Sequence, residues 1–292
     1  MLQNPLVSVL MTAYNREKYI AEAIESVLAS TYQNWELIIV DDCSRDRTVE
    51  IARGYEAKDS RIKVYVNEQN LGDYPNRNKA ASYAKGKYLK YLDSDDIINP
   101  HGLAVMVETM EKFPGVALGL SREIKTDKTI PCSFASREAY AEHFLGKGLL
   151  TIGPSGTIIL REAFEEEKGF SGERYVGDTE LWMRLAANHP IVIIQTGLIW
   201  WRQHEGQEYK SGSDTGYYME QDALIAQKMI HSKSCPLEPE LKIMAVRKIK
   251  QHYARRILAV FFNRGGRRAW QLYKGSGLTF FELLSGFRPY LK

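Results

Sequence analysis

The strongest constraint on the fold is an alternation that repeats four times within the first hundred residues. Each repeat joins a short apolar run to a segment whose apolar residues recur at helical spacing. The runs occupy residues 6–12, 35–40, 62–66 and 88–92, and helices are predicted near 20–28, 46–58, 76–84 and 101–113. Because strands that alternate with helices form βαβ units, the pattern predicts a mostly parallel sheet with helices on both faces.

Such a sheet also determines where a ligand would bind. Open parallel sheets take ligands in the crevice outside the carboxyl ends of their strands. The segments directly after the four predicted strands are 12–15, 41–44, 67–72 and 93–96. Two of them are acidic clusters. Because carboxylates on one edge repel each other, such a rim indicates a bound cation, or acceptors for a sugar and a base.

Beyond residue 100 the alternation weakens. Besides the helix at 101–113, one is predicted over 178–188, and strands over 116–120, 157–160, 191–195 and 198–201. Residues 125–136 and 205–215 lack periodicity and are predicted to be loops, the second a mobile one. From residue 217 onward the pattern is mainly helical.

Composition and charge limit the cellular setting. The first thirty residues carry no secretory pattern, and no apolar stretch reaches the roughly 20 residues that cross a bilayer. The three scattered cysteines lack metal-ligand spacing, so we expect thiols in the cytoplasm. Residues 244–292 hold eleven Lys or Arg against one Glu, a balance of +10, so residues 1–243 carry −7 of the overall +3. This asymmetry predicts that the basic tail meets an anionic surface or partner.

The sharpest chemical signal is the cluster formed by Asp93, Asp95 and Asp96 after the fourth strand. Carboxylates on a rigid strand end can share a divalent cation, and oxygen ligands favour Mg²⁺ or Mn²⁺. The alternative is a helix N-cap, since Asp96 and Asn99 precede a predicted helix. One aspartate would suffice for a cap, so the cluster favours a metal site.

Four motifs occur in an order and at spacings that resemble the family 2 glycosyltransferases. They are PLVSVLMTAYN at 5–15, IVDDCSRDRT at 39–48, NLG at 70–72 with Arg77-Asn78, and YLDSDD at 91–96. The resemblance is strong over residues 5–100 and looser to about residue 204. It implies an inverting enzyme with the Rossmann-like nucleotide-diphospho-sugar transferase (GT-A) fold.

The resemblance also implies which residues hold the donor. Thr12 and Tyr14 would flank the base, and Asp42 would accept a hydrogen bond from a base N–H, as on uracil. The implied nucleotide-sugar-binding residues are Thr12, Tyr14, Asn15, Asp42, Asn70, Arg77, Asp93 and Ser94. As alternatives, Tyr14 would pack under a loop and Asp42 would open an Asx-turn, for which Ser44 and Asp46 are better placed.

A later motif, GDTELWMRL at 177–185, is similar to the family's catalytic element, with Gly177 where the family usually has Glu. The resemblance implies that Asp178 is the catalytic base. An inverting transfer needs a carboxylate to take the proton of the acceptor hydroxyl as its oxygen attacks the anomeric carbon. Asp178 would also suit a helix cap. Glu180 is the rival base, and we expect Arg184 to form a structural ion pair.

The segment WWRQH at 200–204 matches the family's late Arg-x-His element. The implied ligands of Mn²⁺ or Mg²⁺ are Asp95, as the principal one, with Asp93 and His204. The metal would stabilise negative charge on the departing diphosphate. Alternatively His204 contacts the diphosphate or is an inert surface histidine, and Arg202 could neutralise phosphate charge.

These implications add up to one predicted activity. The chain would transfer sugar from a nucleotide-sugar, with UDP favoured, to a glycan or lipid-linked glycan acceptor in surface polysaccharide synthesis. We expect a catalytic domain over 1–215, made of a nucleotide-sugar half at 1–100 and an acceptor half at 101–215, and a helical basic extension over 216–292. The extension would lie peripherally on the inner face of the cell membrane or pack on the catalytic domain. We expect no nucleic-acid partner.

Other functions fit less well. A dinucleotide-dependent oxidoreductase, or a sugar-nucleotide pyrophosphorylase, would need a glycine-rich turn after the first strand, and residues 12–16 contain no glycine. A glycoside hydrolase needs two carboxylates that flank a glycosidic bond, whereas these acids follow the ends of parallel strands. The remaining alternative is a catalytically degenerate domain that binds nucleotide-sugar or glycan, or serves as a scaffold, supported by Gly177 alone.

Overall fold

A computed structural model describes residues 4–124, 126–204 and 217–288. The chain divides into two compact units. One consists of Met1–Ser136 with Thr151–His204, and the other of Arg137–Leu150 with Glu205–Lys292. The expected domain boundary at 215/216 and the loop predicted over 205–215 lie outside the described residues.

The first unit contains all ten strands found in the described residues. They are β1 (Val7–Ala13), β2 (Trp35–Asp41), β3 (Ile62–Val66), β4 (Tyr88–Tyr91), β5 (Ile97–Ile98), β6 (Leu118–Ser121), β7 (Cys132–Phe134), β8 (Thr157–Leu160), β9 (Ile191–Ile194) and β10 (Ile199–Trp200). Its helices are α1 (Ile20–Leu28), α2 (Thr48–Glu56), α3 (Asp73–Ser82), α4 (Gly102–Lys112), α6 (Arg161–Glu166) and α7 (Gly177–Asn188).

Eight strands form one sheet in the order β3-β2-β1-β4-β8-β6-β9-β7. The first four are parallel, as predicted, because β1 pairs in parallel with β2 and β4, and β2 with β3. β8 runs antiparallel between β4 and β6, and β9 lies parallel to β6. β10 pairs antiparallel with β5 in a separate two-stranded ribbon. The predicted α/β architecture is confirmed.

The alternation of side chains along β1 explains why this sheet needs helices on both faces. Val7, Val9 and Met11 belong to the core cluster that contains the apolar face of α1. The intervening Leu10 points to the opposite face and is equally buried. Helix α3 also packs against β1 and β2. Strands that are apolar on both faces fold only when both faces are covered.

The loop predicted over 125–136 is wrong in part, because β7 lies within it. This strand pairs antiparallel with β9 at the edge of the sheet, with Cys132 opposite Ile193. Cys132 and Phe134 are buried while Ser133 between them is half-buried. Three residues are too few to establish a period, so the strand depends on its partner β9 rather than on a local signal.

The second unit is helical, as predicted from residue 217 onward. It contains α5 (Ser136–Phe144) apart from its first residue, α8 (Tyr217–Ile230), α9 (Pro239–Arg264), α10 (Gly266–Gly275) and α11 (Phe280–Leu284). Its core comprises Ala223, Tyr253, Ala254, Ile257, Ala269, Leu272 and Leu278. Lys248 Nζ donates hydrogen bonds to the carbonyls of Leu145 and Gly146, so α9 is tied to the end of α5. Within the described residues, no helix combines the length and apolarity that a membrane span requires.

Candidate active site

The loops that follow β1 and β2 hold each other in place. The Asn15 backbone N–H donates to Ser44 Oγ (2.8 Å), and Asn15 Oδ1 accepts from the Arg45 N–H (2.8 Å). Asn15 has a φ of 54°, a left-handed conformation that asparagine tolerates better than most residues. Its amide therefore shapes the rim. Tyr14 is 43% exposed and so is not packed under a loop, while Thr12 is half-buried.

Asp42 is almost fully buried, and its carboxylate organises the loop before α3. Oδ1 accepts from the Leu71 N–H (2.8 Å) and from Asn67 Nδ2 (2.8 Å), and Oδ2 accepts from the Gly72 N–H (2.9 Å). A carboxylate has about four acceptor positions, so little capacity is left for a base N–H. The Asx-turn given as its alternative role is made by Asp46, one of the two residues expected to be better placed for it: Asp46 Oδ1 accepts from the Thr48 N–H (2.9 Å) where α2 begins.

Arg77 and Asp93 form a buried ion pair beside this loop. The guanidinium donates from Nε to Asp73 Oδ1 (2.8 Å), and Nη2 lies 2.7 Å from Asp93 Oδ1. Arg77 is 6% exposed. A guanidinium this deeply buried is tolerated because two carboxylates replace its hydration. Arg77 thus contacts a predicted donor-binding residue, Asp93, from inside the protein.

Asp95 lies between a guanidinium and an imidazole. Its Oδ2 atom accepts from Arg16 Nε (3.0 Å) and lies 2.9 Å from His204 Nε2. The imidazole of His204 packs against the Tyr19 ring, with ring centroids 4.6 Å apart and an interplanar angle of 34°. The structure therefore brings together two of the three predicted metal ligands, Asp95 and His204.

The ribbon of β5 and β10 explains how residues more than a hundred positions apart meet here. Trp200 pairs with Ile97. Because of this pairing, the residues that follow β10 lie beside the aspartate cluster. The Arg202 backbone N–H donates to Asp96 Oδ1 (3.1 Å), and Arg202 Nε donates to the Asp95 carbonyl (2.9 Å). Asp96 is therefore held by Arg202 and does not cap α4, which begins only at Gly102.

Burial raises the pKa of Asp96 to about 7, and the negative charge of Asp93 adds to this effect. The opposing influences are hydrogen bonds from the Ser155 hydroxyl and the Arg202 N–H. At neutral pH a substantial fraction of Asp96 is therefore protonated. A metal ligand has to be ionised, so this shift disfavours Asp96 as one.

Asp178 is the second residue of α7 and lies in its first turn. Its Oδ1 accepts from the Thr179 N–H (2.6 Å). Burial raises the pKa of Asp178 to about 6, while the Thr179 N–H and the positive charge of Arg77 oppose the rise. A carboxylate with a pKa near the working pH is suited to general-base catalysis.

The structure gives a reason for Gly177. A Cβ atom at this position would lie 2.8 to 3.0 Å from three carbon atoms of the Tyr74 ring. Tyr74 is buried on α3, and the Asp178 N–H donates a hydrogen bond to its hydroxyl. Gly177 therefore makes room for an aromatic ring that holds the backbone of the candidate base.

Glu180, the rival base, is committed to another partner. Arg184 donates to it from Nε (3.0 Å) and from Nη2 (2.9 Å), and Glu180 is 3% exposed. Arg184 also donates to the Gly169 carbonyl (2.6 Å). The structural ion pair expected for Arg184 is present, and it engages both carboxylate oxygens of Glu180.

The side chains around Asp95 fit a divalent cation in chemistry. Ligands in adjacent positions of an ion with bonds near 2.1 Å are about 3 Å apart, and Asp95 Oδ2 and His204 Nε2 are separated by 2.9 Å. Among the described residues, no group of three or more His, Cys, Asp and Glu side chains is gathered to hold an ion. Mg²⁺ and similar ions are commonly held by one or two carboxylates together with water and substrate phosphates.

Sequence reasoning missed Arg16 and Tyr74. Arg16 meets Asp95 across 79 positions, and Tyr74 meets Gly177 across about a hundred. One signal was available for Arg16, because it is a cation on a predicted rim of acids. No local pattern distinguished Tyr74 from an ordinary core aromatic.

The comparisons with known sequences agree with one another. The model of the family described as Glycosyl transferase family 2 matches residues 8–167. The uncharacterized glycosyltransferase MJ1057 of Methanocaldococcus jannaschii is 33% identical over 228 residues, which are 72% of this chain and 75% of that protein. The UDP-Glc:alpha-D-GlcNAc-diphosphoundecaprenol beta-1,3-glucosyltransferase WfgD of Escherichia coli is 33% identical over 198 residues, 66% of this chain and 75% of WfgD. The putative teichuronic acid biosynthesis glycosyltransferase TuaG of Bacillus subtilis is 49% identical over 92 residues, which span 32% of this chain and only 36% of TuaG.

Solved structures support the fold. S. aureus TarS 1–349 in complex with UDP-GlcNAc has a TM-score of 0.72 at 21% identity, covering 92% of this chain and 79% of that chain. The mannosyltransferase PcManGT from Pyrobaculum calidifontis, in complex with GDP-Man and Mn²⁺, has a TM-score of 0.60 at 14% identity, covering 96% of this chain and 85% of that chain. The predicted GT-A fold is confirmed.

The contacts of Asp42 generate a prediction. Asp42→Ala removes the acceptor of two backbone N–H groups and one amide, so we expect the free energy of unfolding to fall by about 2–3 kcal/mol. Chemical denaturation measures this. Glu68→Ala, which removes an exposed carboxylate from the same loop, should change it by less than about 0.5 kcal/mol. If Asp42→Ala lost affinity for UDP with no loss of stability, the carboxylate would serve the nucleotide and not the loop.

Proposed function

This chain belongs to glycosyl transferase family 2, and on that premise we propose an inverting enzyme that transfers sugar from a UDP-sugar to a glycan or lipid-linked glycan. We place its role in surface polysaccharide synthesis. The names of WfgD and TarS support the proposal, since one uses UDP-Glc with a diphosphoundecaprenol-linked sugar and the other binds UDP-GlcNAc. We further propose residues 1–215 as the catalytic domain and 216–292 as its extension.

The proposal rests mainly on the position of Arg77 between two aspartates with different proposed roles, one in donor binding and one as the base. Its guanidinium pairs with Asp93 at the end of β4, and its charge lowers the pKa of Asp178 at the start of α7 against the effect of burial. Coulomb interactions weaken with distance, so the guanidinium of Arg77 acts on both carboxylates from nearby. The donor end of the site and the candidate base therefore share one buried cation.

In the proposed mechanism Asp178 accepts the proton of an acceptor hydroxyl. The hydroxyl oxygen forms a bond to the anomeric carbon while the bond from that carbon to the diphosphate oxygen breaks, which inverts the configuration in one displacement. Tyr74 orients the base through the Asp178 N–H. With a pKa of about 6, Asp178 is mostly ionised at neutral pH and still basic enough to share the proton in the transition state.

Donor binding is assigned to the rim. We propose Mn²⁺ or Mg²⁺ as the cofactor, held by Asp95 and His204, which already lie together, and by Asp93, whose carboxylate is paired with Arg77 here; the ion would stabilise negative charge on the diphosphate. Exposed Tyr14 is well placed to contact the base. The nucleotide-sugar-binding set we propose is Thr12, Tyr14, Asn15, Asp42, Asn70, Arg77, Asp93 and Ser94. Several of these act by shaping the rim, as Asp42 and Asn15 do through their contacts with neighbouring loops.

Slow hydrolysis of donor tests the activity without knowledge of the acceptor. With MnCl₂ and a set of UDP-sugars, we expect the wild-type protein to release UDP from at least one. Asp95→Ala should slow the release about 100-fold, because the charge on the leaving group loses its partner. Asp127→Ala, which removes an exposed carboxylate, should release UDP at the wild-type rate. A wild-type protein that binds donors but neither hydrolyses nor transfers them would be a degenerate binding domain.

Asp178→Asn separates the transfer step from donor binding. We expect transfer to fall by about 10²–10⁴-fold with unchanged donor affinity, because a general base is lost. The wild-type rate itself should fall as the pH drops through about 6, where Asp178 takes up a proton. Equal losses of donor affinity and rate would refute the assignment.

Asp178→Asn, which lowers the transfer rate, should raise the stability of the protein. The pKa of Asp178 is raised from 3.8 to about 6 in the folded state. The free energy of unfolding therefore falls as the pH rises through that interval. Because the side chain keeps some exposure, we expect Asn to raise the free energy of unfolding at pH 7 by only about 1 kcal/mol. The two proteins should be equally stable below about pH 4. Melting curves at both pH values check this.

We also propose that the basic extension contacts the inner face of the cell membrane. Along α10, Arg267, Trp270 and Lys274 are exposed at helical spacing, and Lys274 Nζ lies 5.4 Å from the Trp270 ring centroid. Phe280 and Phe281 on α11 are 61% and 84% exposed. A segment with a charge balance of +10 and exposed aromatic rings suits an anionic lipid surface.

Vesicle flotation tests the membrane contact. We expect wild-type protein to bind vesicles that contain phosphatidylglycerol more tightly than vesicles of pure phosphatidylcholine. Replacing both Phe280 and Phe281 by Ser should weaken binding at least about tenfold, since each ring contributes over 1 kcal/mol when buried. Leu224→Ser, at an exposed leucine of α8, is the control and should bind as the wild type does. Binding that ignores lipid charge, or that survives the double substitution, would contradict the proposal.

A further inference from the structure

Arg16 occupies the oxygen atom that a cation at Asp95 would need. Its Nε donates to Asp95 Oδ2 (3.0 Å), the same atom that lies 2.9 Å from His204 Nε2. The side chains of Arg16 and Asp95 are 26% and 12% exposed, so the pair is only partly screened by water. A guanidinium and a divalent cation cannot both lie against one carboxylate oxygen without strong repulsion.

We propose that Arg16 exchanges with the cation. In the cation-free protein Arg16 neutralises Asp95; when the cation binds, Arg16 releases Asp95 and turns to the diphosphate of the donor. The inference rests on the proposed function, because it takes Asp95 as the principal metal ligand. It assigns to Arg16 a binding role that the family resemblance did not carry over to this position.

The anchoring of Arg16 allows such a movement. Its backbone N–H donates to Thr48 Oγ1 (2.7 Å), which fixes the main chain of the loop after β1. The remaining contacts of the guanidinium are weaker, since Nη1 donates to the carbonyls of Tyr14 (3.1 Å) and Asn15 (3.3 Å) at exposed positions. Water can replace those two bonds, so the side chain can leave Asp95 while the backbone stays in place.

The chemistry of the donor gives the displaced side chain a destination. A nucleoside diphosphate brings two negative phosphate groups to the same rim, and a planar guanidinium binds phosphate oxygens in pairs. Arg16 would thereby compensate negative charge in both states, on Asp95 before binding and on the diphosphate afterwards. Cation and donor binding would be coupled, because the donor offers Arg16 a replacement partner.

The first test measures cation affinity in the absence of nucleotide. MnCl₂ is titrated into the protein and free Mn²⁺ is followed by electron paramagnetic resonance. We expect Arg16→Ala to bind Mn²⁺ about fivefold more tightly than the wild type, because no ion pair has to be broken. Lys18→Ala removes one positive charge from an exposed position of the same loop and corrects for the long-range effect of charge. Equal affinities in the Arg16 and Lys18 variants would overturn the proposal.

The second test uses the donor's diphosphate. With saturating MnCl₂, Arg16→Ala should bind UDP about tenfold more weakly than Lys18→Ala, because a charge-assisted contact is lost. Affinity for uridine should be the same in both variants. An Arg16→Ala protein that binds both UDP and uridine like the control would exclude a diphosphate contact. Should Arg16→Ala fold poorly, Arg16→Lys serves, with intermediate affinities expected for Mn²⁺ and UDP.

Asp95→Asn distinguishes the two ways in which the idea can fail. If this substitution leaves Mn²⁺ affinity unchanged, the metal site of the proposed function is wrong. If it abolishes Mn²⁺ binding while Arg16→Ala does not tighten it, the metal site stands and only the exchange is excluded. In the double variant, Asp95→Asn should cancel the gain produced by Arg16→Ala.

Discussion

Three aspartates that follow the carboxyl ends of β2 and β4, Asp42, Asp93 and Asp95, are at most partly exposed to water. A buried carboxylate loses its hydration and stays ionised only where cations or hydrogen-bond donors replace the water. Each acid has its own partner here: Asp42 has the donors of the loop before α3, Asp93 has Arg77, and Asp95 has Arg16. Separate compensation lets these acids share one edge of the sheet despite their mutual repulsion.

Asp96 and Lys90 are buried groups of opposite charge at this edge of the sheet, and burial favours the neutral form of each. Burial moves the two pKa values towards each other, that of Asp96 up to about 7 and that of Lys90 down to about 7. The negative charges of Asp93 and Asp96 oppose the fall at Lys90. Lys90 Nζ donates to the carbonyls of Tyr91 and Ser155, and the Ser155 hydroxyl accepts from the Asp93 N–H (3.0 Å). The buried lysine thus supports the rim mechanically as well as electrostatically.

The parts of this arrangement that were predictable are those with a local cause. Strands β1 to β4 follow from apolar runs, and Asp95 follows from a strand end whose successors are acidic. Strand β7 and the contact between Arg16 and Asp95 depend on partners far along the chain; no periodicity indicates the strand, and for Arg16 the only signal is a positive charge on a rim of acids. The pairing of β10 with β5 has no local signal either, although the family resemblance of residues 200–204 implied that His204 and Asp95, which this pairing brings together, share one site. The features that could not be predicted are those that depend on contacts between residues far apart in the sequence.

Asp178 illustrates why the site has to be understood through its supports. A general base, the role proposed for Asp178, must be placed to within a fraction of an ångström, and loops rarely achieve this without a rigid element behind them. Here α3 supplies that element twice: Arg77 pairs with Asp93 on the donor side, and Tyr74 accepts from the Asp178 N–H on the base side. Tyr74 can approach only because Gly177 has no Cβ. One helix thereby connects both halves of the site, and the glycine that departs from the family pattern is the condition for that connection.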